Sequence, residues 1–499
     1  MKRLIAAMLF LLSAAAVAGS ARHTVFVSDL HVGAGRLADG SWNRIEDFRW
    51  QDDFDRFLDQ VSSRTGDRAD LILAGDVFEL WQSPTMRCST DPAAPGCIVP
   101  DCNDADPEIG CSEGDAAARL EAVLARHPDF VASLRRFAAR GDNRVVIVPG
   151  NHDGALTFPA VRELLTARLA SPRIAVAAAG YWLSPDGVVY ADHGHQFDDV
   201  NQFPRWPAPF VERGGQRFLA KPWGENMVQR FYNQYEAIFP VIDNLADEKT
   251  GVRYAVRQAG FPNATAAVRK FLRFFLYEES LRQAVTALGR DGKVQWDYAA
   301  LRTRPAAFFV DVLPADLRPA GATLEAAALT DMELDTLCAA KENLAGARHC
   351  PRRSDTLGAA VKGVVLSEDQ RLAAYLRHTL PRVAAPEAPL ASVYVFGHTH
   401  SARRPRLLDL GEVGHGTAQV TTVNTGAFQR VATAAQIEAA AGRPGAPARR
   451  PLDLMPEDLP ACYTAVWIAP YAERAAVPRL YRWSRGAAGF ELAEGSCLD

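Results

Sequence analysis

The sequence has no CxxC pair, no internal repeat and no excess of positive charge, and after residue 21 it has no apolar run long enough to cross a membrane. Each absence excludes something. Without CxxC spacing, the eight cysteines do not read as zinc knuckles. Without repeats, a solenoid is excluded. With a net charge of −4, the chain has no general attraction for a polyanion, and no nucleic-acid polymer is expected as a partner. Without a later apolar run, no transmembrane span is expected in the mature chain.

What is present first is a leader. Lys2 and Arg3 precede an apolar run from Leu4 to Leu12, and small residues follow through Ala21. This is the n-region, h-region and cleavage pattern of a signal peptide over 1–21. No cysteine follows the small residues, so the pattern is not that of a lipoprotein. Eight cysteines then fit export to the periplasm or beyond the cell, where disulfides form. Cys88, Cys97, Cys102 and Cys111 cluster, Cys338 and Cys350 make a local pair, and Cys462 and Cys497 lie near the end. The acidic run Asp101 to Asp106 has some likeness to a calcium loop but lacks its glycine and terminal glutamate, so a solvated, disulfide-stapled loop is expected.

At 499 residues the chain exceeds one ordinary core. Short β-rich runs at Thr24–Val27, Leu71–Ala74, Val145–Val148, Val188–Tyr190 and Val393–Phe396 alternate with helical patterns. One such pattern carries Phe54, Phe57, Leu58 and Val61; another reads as a single helix from Ala117 to Ala139. The alternation predicts an α/β sheet with covered faces. It breaks after Phe197, where helical, aromatic-rich sequence begins. The expected organisation is therefore a catalytic domain in two parts, 22–200 and 388–499, interrupted by a mostly helical cap at 201–387. The cap's aromatics make either its own core or a pocket for an apolar part of a substrate. Asn263-Ala264-Thr265 fits a glycosylation acceptor, or the match is coincidence. Ala432–Pro451 reads as a surface excursion.

Each of the five strand candidates ends in groups that can bind a metal. They are Asp29-Leu30-His31, Gly75-Asp76, Gly150-Asn151-His152-Asp153, Asp192-His193-Gly194-His195 and His398-Thr399-His400, which together hold six of the eleven histidines. Ligands in open α/β sheets gather beyond the carboxyl ends of strands, so one shared site is expected. Residues two apart in extended chain point the same way, which would aim both members of Asp29-x-His31 and His398-x-His400 at one place. Gly33, Gly75, Gly150, Gly194 and Gly397 flank these groups, where tight turns are wanted. Carboxylate, imidazole and amide ligands together suit Mn, Fe, Zn or Ni. Glu79, Arg36 and Arg403 read more readily as surface charge than as contacts within the site.

In that order, the five motifs resemble the signature of the calcineurin-like metallophosphoesterases over roughly Thr24–Phe197 and Ser392–Phe428. The resemblance implies a four-layer αββα sandwich with two divalent metal ions at the strand ends. It implies that Asp29, His31, Asp76 and His400 hold one metal, and that Asp76 bridges to a second held also by Asn151, His193 and His398. His152 would contact the phosphate or protonate the leaving oxygen, and Asp153 would orient His152. His195 would be a second phosphate contact or a ring that pins the backbone. Two such ions would share a water and lower its pKa for attack on phosphorus. The wording Ser28-Asp29-Leu30-His31-Val32-Gly33 and Gly75-Asp76-Val77-Phe78-Glu79-Leu80-Trp81 is most similar to the UDP-2,3-diacylglucosamine pyrophosphohydrolase branch. That branch's substrate is a cytoplasmic intermediate, so the chemistry is carried over and the substrate is not. The expected function is an exported hydrolase of a small-molecule phosphomonoester or phosphodiester, with lipid-linked and nucleotide-linked esters both open. The alternative is a non-catalytic phosphate- or ligand-binding protein on the same fold, for which loss of His152 or Asn151 would be the mark; both residues are present.

Overall fold

The computed structural model describes residues 21–91, 96–98, 102, 109–198, 200–246, 303, 368–386, 388–413, 416–442, 449–472, 474–486 and 489–498. The leader, Asn263, the aromatic cluster Phe271–Tyr277, Cys338 and Cys350 lie outside the described residues, as does most of the acidic run at 101–106.

All five site-bearing strands form: β1 (His23–Val27), β2 (Ala69–Ala74), β3 (Arg144–Val148), β4 (Val189–Ala191) and β5 (Val393–Phe396). The first three are parallel neighbours in a seven-stranded sheet, with Val27 opposite Leu73 and Ala74 opposite Val148. This register brings their carboxyl ends level. Strand Ile174–Val176 extends the sheet beyond β3, and three antiparallel strands beginning with Cys462–Ile468 extend it beyond β1. β4 and β5 are parallel neighbours in a five-stranded sheet, where β5 also pairs in parallel with Gly416–Asn424.

Side-chain alternation along the strands sets the layers. Phe26, Ile72 and Val148 of the first sheet pack against Val189, Ala191, Val393 and Val395 of the second, so the two sheets meet face to face. The opposite face of the first sheet, with Val25, Val27, Leu71 and Leu73, is covered by helices. These are α1 (Gln51–Thr65), α2 (Glu113–Arg126), α3 (Pro128–Ala139) and α4 (Pro159–Leu169). The outer face of the second sheet, with Tyr190, Tyr394 and Phe396, is covered by α5 (Glu368–Val383) through Leu372, Leu376 and Leu380, spaced four apart on one stripe. The domain is a four-layer αββα sandwich, as expected.

Three expectations change. The single helix over 117–139 is two helices, because Pro128 has no N–H to continue α2 and opens α3 at its first position instead. The chain just past 201 is not helical at first: strands Phe210–Arg213 and Gln216–Ala220 form a hairpin that pairs with Ile109–Ser112. Ala432–Pro451 is more than a surface excursion. Helix Ala434–Ala441 and its flanks bury Ile437, Ala440, Leu454 and Leu459 against Tyr235, Phe239, Ile242 and Leu245. Its small alanines hide this apolar face from a sequence reading.

Disulfides join Cys88 to Cys97, Cys102 to Cys111 and Cys462 to Cys497, and no cysteine is free among the described residues. No described helix is long and apolar enough to cross a membrane.

Candidate metal centre

The five turns beyond the strands are stitched to one another by backbone hydrogen bonds. Asp29 N donates to Gly75 O at 3.1 Å, His31 N to Asp76 O at 3.0 Å and Gly397 N to His193 O at 3.0 Å. Side chains complete the lacing: Asp76 Oδ1 accepts from His152 N at 2.8 Å, and Asp29 Oδ2 from His398 N at 3.1 Å.

The extended geometry expected for the two D-x-H and H-x-H pairs is not what forms. Asp29, His31, Asp76, His398 and His400 all have positive φ, between 50° and 70°. The side chains converge because the chain curls through left-handed turns, not because it runs straight. Such a conformation costs roughly 1–3 kcal/mol per non-glycine residue and is typical of functional sites. Close approach also explains two glycines. A Cβ on Gly150 would run into the Asp76 carboxylate, and one on Gly397 into Ser28 and the Asp29 carboxylate.

Two groups of donor atoms result. Asp29, His31 and His400 form one, with His400 Nε2 3.4 Å from Asp29 Oδ1 and 3.2 Å from His31 Nε2. Asp76, His193 and His398 form the other, with His193 Nε2 2.9 Å from Asp76 Oδ2. Asp76 Oδ2 also lies 3.9 Å from His31 Nε2, so this carboxylate stands between the groups. The far sides of the His193, His31 and His398 rings are occupied. His193 Nδ1 donates to Ala74 O at 3.1 Å, which leaves Nε2 as the free lone pair. His31 Nδ1 faces Glu79 Oε2 at 3.0 Å, and His398 Nε2 faces Asp198 Oδ2 at 2.9 Å. Partners of this kind fix ring orientation in metal sites.

The fit to cations rests on atoms within the protein. Asn151 Oδ1 is buried and has no hydrogen-bond partner, and the buried Asp29 Oδ1 and His193 Nε2 meet only other members of the set, although unpaired buried polar atoms are costly. The electrostatics agree. Burial opposes charge on Asp76, yet His193 and His152 hold it well below the usual carboxylate range. Burial likewise opposes the His193 imidazolium, but Asp76 and Asp29 lift it to about 9. A centre this negative draws cations, and a divalent ion competes with the proton for the same lone pairs.

Residues 22–225 match the calcineurin-like phosphoesterase family. No curated protein and no solved structure matches the chain. The phosphoesterase match includes Asp29, His31, Asp76, Asn151, His152 and His193, while His398 and His400 reach the same place from beyond it.

Around this centre some expected residues stand elsewhere. His152 lies at the rim, its ring stacked on Trp81 at 3.8 Å between centroids. Asp153 makes no contact with the His152 ring. Its carboxylate accepts instead from the backbone N–H groups of Gly150 at 2.6 Å, Val77 at 2.9 Å and Phe78 at 3.2 Å, so it staples two turns together. The carboxylate on His152 is Glu79, whose Oε2 accepts from Nδ1. Burial opposes charge on both. Nonetheless the pair forms: Glu79 is held down at about 2 and His152 is lifted to about 9. His195 sits behind His193, 5.6 Å between centroids, and is edge-on to Trp206 at 4.5 Å. Burial and the neighbouring His193 keep it neutral.

Glu79 is 2% exposed, which overturns its reading as surface charge. The available signal was its place three residues past Asp76 at a strand end. Asp198, the partner of His398, carried only the signal of lying five residues past His193. Arg36 and Arg403 are paired away from the centre, over the Trp42 ring and with Glu368.

Proposed function

We propose that this chain is an exported, two-metal phosphoesterase acting on a small-molecule phosphomonoester or phosphodiester. What supports the reading is one juxtaposition. Two groups of donors meet at Asp76, the buried Asn151 Oδ1 beside them has no hydrogen-bond partner, and a carboxylate-backed His152 stands next to them.

In this reading Asp29, His31, Asp76 and His400 hold one divalent ion, and Asp76, Asn151, His193 and His398 hold the other. Ions bound there activate water and withdraw charge from a phosphate. Mn, Fe, Zn and Ni all suit the donors. The chain's own groups do the rest. His152, protonated through neutral pH by its Glu79 partner, holds a proton at Nε2 for a non-bridging oxygen or the leaving oxygen. Trp81 stacks on its other face and limits water there. His195, neutral and buried, keeps the His193 ring in place as a positioning residue. The insertion expected at 201–387 lies largely outside the described residues, and in this reading it selects the substrate. Three disulfides and the leader pattern support export.

The test is hydrolysis of chromogenic mono- and diester phosphates by the mature protein reloaded with Mn. Activity is expected, with two equivalents of metal. Asp76→Ala is expected to lose both metals, and His152→Ala to keep both and lose rate. A fully loaded protein inert on every phosphoester tried would overturn the proposal.

A further inference from the structure

A second set of carboxylates, two buried and one half-buried, lies beside the centre and belongs to none of its expected ligands. One oxygen each from Asp47, Glu236 and Asp243 lies within 4.8 Å of the others. Asp47 is 3% exposed and Glu236 0%. Carboxylates packed so closely repel, and burial adds to the cost of their charge. Burial and mutual repulsion push Asp47 and Glu236 well above the usual carboxylate range.

Independent of the carboxylates, a neutral side chain touches the same cluster. Gln82, 2% exposed, lays its amide Nε2 on Glu236 Oε2 at 2.7 Å and donates also to Asn233 Oδ1 at 3.1 Å, while its own carbonyl Oε1 is buried and accepts no hydrogen bond. Asp47 Oδ1 and Glu236 Oε1 are also buried without a partner. Three carboxylates and an amide carbonyl are an all-oxygen donor set, and such sets suit a hard cation such as Ca²⁺ rather than Zn²⁺.

We propose that Asp47, Glu236 and Asp243, with the carbonyl of Gln82, form a third cation site that takes Ca²⁺, distinct from the dinuclear centre. Its purpose follows from where the ligands sit in the chain. Asp47 follows β1 and Gln82 follows β2, whereas Glu236 ends helix Asn233–Glu236 and Asp243 lies in the turns beyond it. A cation there ties the segment past 201 to the loops that carry Asp29 and Asp76. Arg44, which donates to Ile238 O at 3.2 Å, makes a neutral-acceptor tie between the same parts.

The inference goes beyond the phosphoesterase reading, rests on it only for the two Mn equivalents, and is read from Ca²⁺ content and Tm, not hydrolysis. Full-length mature protein, its dinuclear centre first filled with Mn, is dialysed against CaCl₂ and its melting temperature followed. One further equivalent of Ca²⁺ and a rise in Tm are expected. The variant Asp47→Asn/Glu236→Gln should keep two equivalents of Mn, bind no Ca²⁺ and show a Tm that ignores it. Glu236→Gln alone serves if the double variant does not fold, with Ca²⁺ affinity lowered at least tenfold. Two results would overturn the site: wild type that takes up no third cation, or variants that bind Ca²⁺ as wild type does. A double variant that is more stable than a Ca²⁺-indifferent wild type would show that the carboxyls share protons instead.

Discussion

Glu79 Oε2 serves two imidazoles at once, lying 3.0 Å from His31 Nδ1 and in hydrogen-bond contact with His152 Nδ1. One ring belongs to the metal-facing set and the other to the rim, so this carboxylate couples the protonation of His152 to the orientation of His31.

That coupling fixes the sign of a pH effect. His152 is lifted to about 9, so its protonated form prevails below that pH and is lost as pH rises through it. Activity that needs the imidazolium therefore declines on the alkaline side. Glu79→Gln keeps the shape and removes the charge, so the alkaline limb should move to lower pH. The rate at pH 8 should fall roughly 10- to 100-fold, no more than the low end of the ~10²–10⁴ that a general acid contributes, because part of His152 stays protonated. A pH–rate profile and metal analysis check this. An unchanged limb with two equivalents of metal would show that Glu79 does not govern His152.

Gly150 passes so close to Asp76 that a methyl group has no room. In Gly150→Ala the new Cβ must displace the carboxylate that stands between the two donor groups. Overpacking of this kind costs about 1–3 kcal/mol. Metal affinity should drop about tenfold or more while the far-ultraviolet spectrum stays unchanged, as competition with a chelator would report. Wild-type affinity would mean that the turn relaxes without moving Asp76.

That these residues would gather was legible in the sequence, because each follows a strand directly and the carboxyl ends of the two sheets' strands meet. The partners of those donors were not, because their roles depend on which turn returns to them. Asp153 lies next to His152 in sequence, but three backbone N–H groups claim its carboxylate, and two of these belong to the turn after β2. Glu79 reaches His152 from that turn, 73 residues away. The convergence of Asp29 with His31 was expected for the wrong reason: left-handed turns, not extended chain, aim the side chains. Asp47, Gln82, Glu236 and Asp243 share no local spacing, so nothing short of the fold brings them together.

If Asp153 is a staple between turns, its loss should appear in stability before chemistry. Asp153→Ala leaves three buried N–H groups without their acceptor, and each unsatisfied group costs about 1–3 kcal/mol. Thermal melting should show a drop of several degrees. The alkaline limb of the pH–rate profile should stay where Glu79 sets it. If instead the limb shifted as in Glu79→Gln, Asp153 would be acting on His152 after all.

The bridge between Cys462 and Cys497 tests the expected compartment. It closes a 35-residue separation and ties the chain's end to the strand that pairs antiparallel with β1. Closing a loop of this size stabilises by about 2–4 kcal/mol, chiefly by restricting the unfolded chain. Cys462→Ser/Cys497→Ser should therefore melt several degrees lower than the oxidised protein, and reductant should bring wild type most of the way to the variant. The donors at the strand ends touch neither cysteine, so the metal content of the folded variant should stay at two equivalents. Material made in a reducing cytosol should behave like the variant until it is oxidised. Equal melting temperatures in all these forms would mean that the bridge contributes nothing to folding, and the argument from cysteine pairing to an oxidising compartment would lose this support.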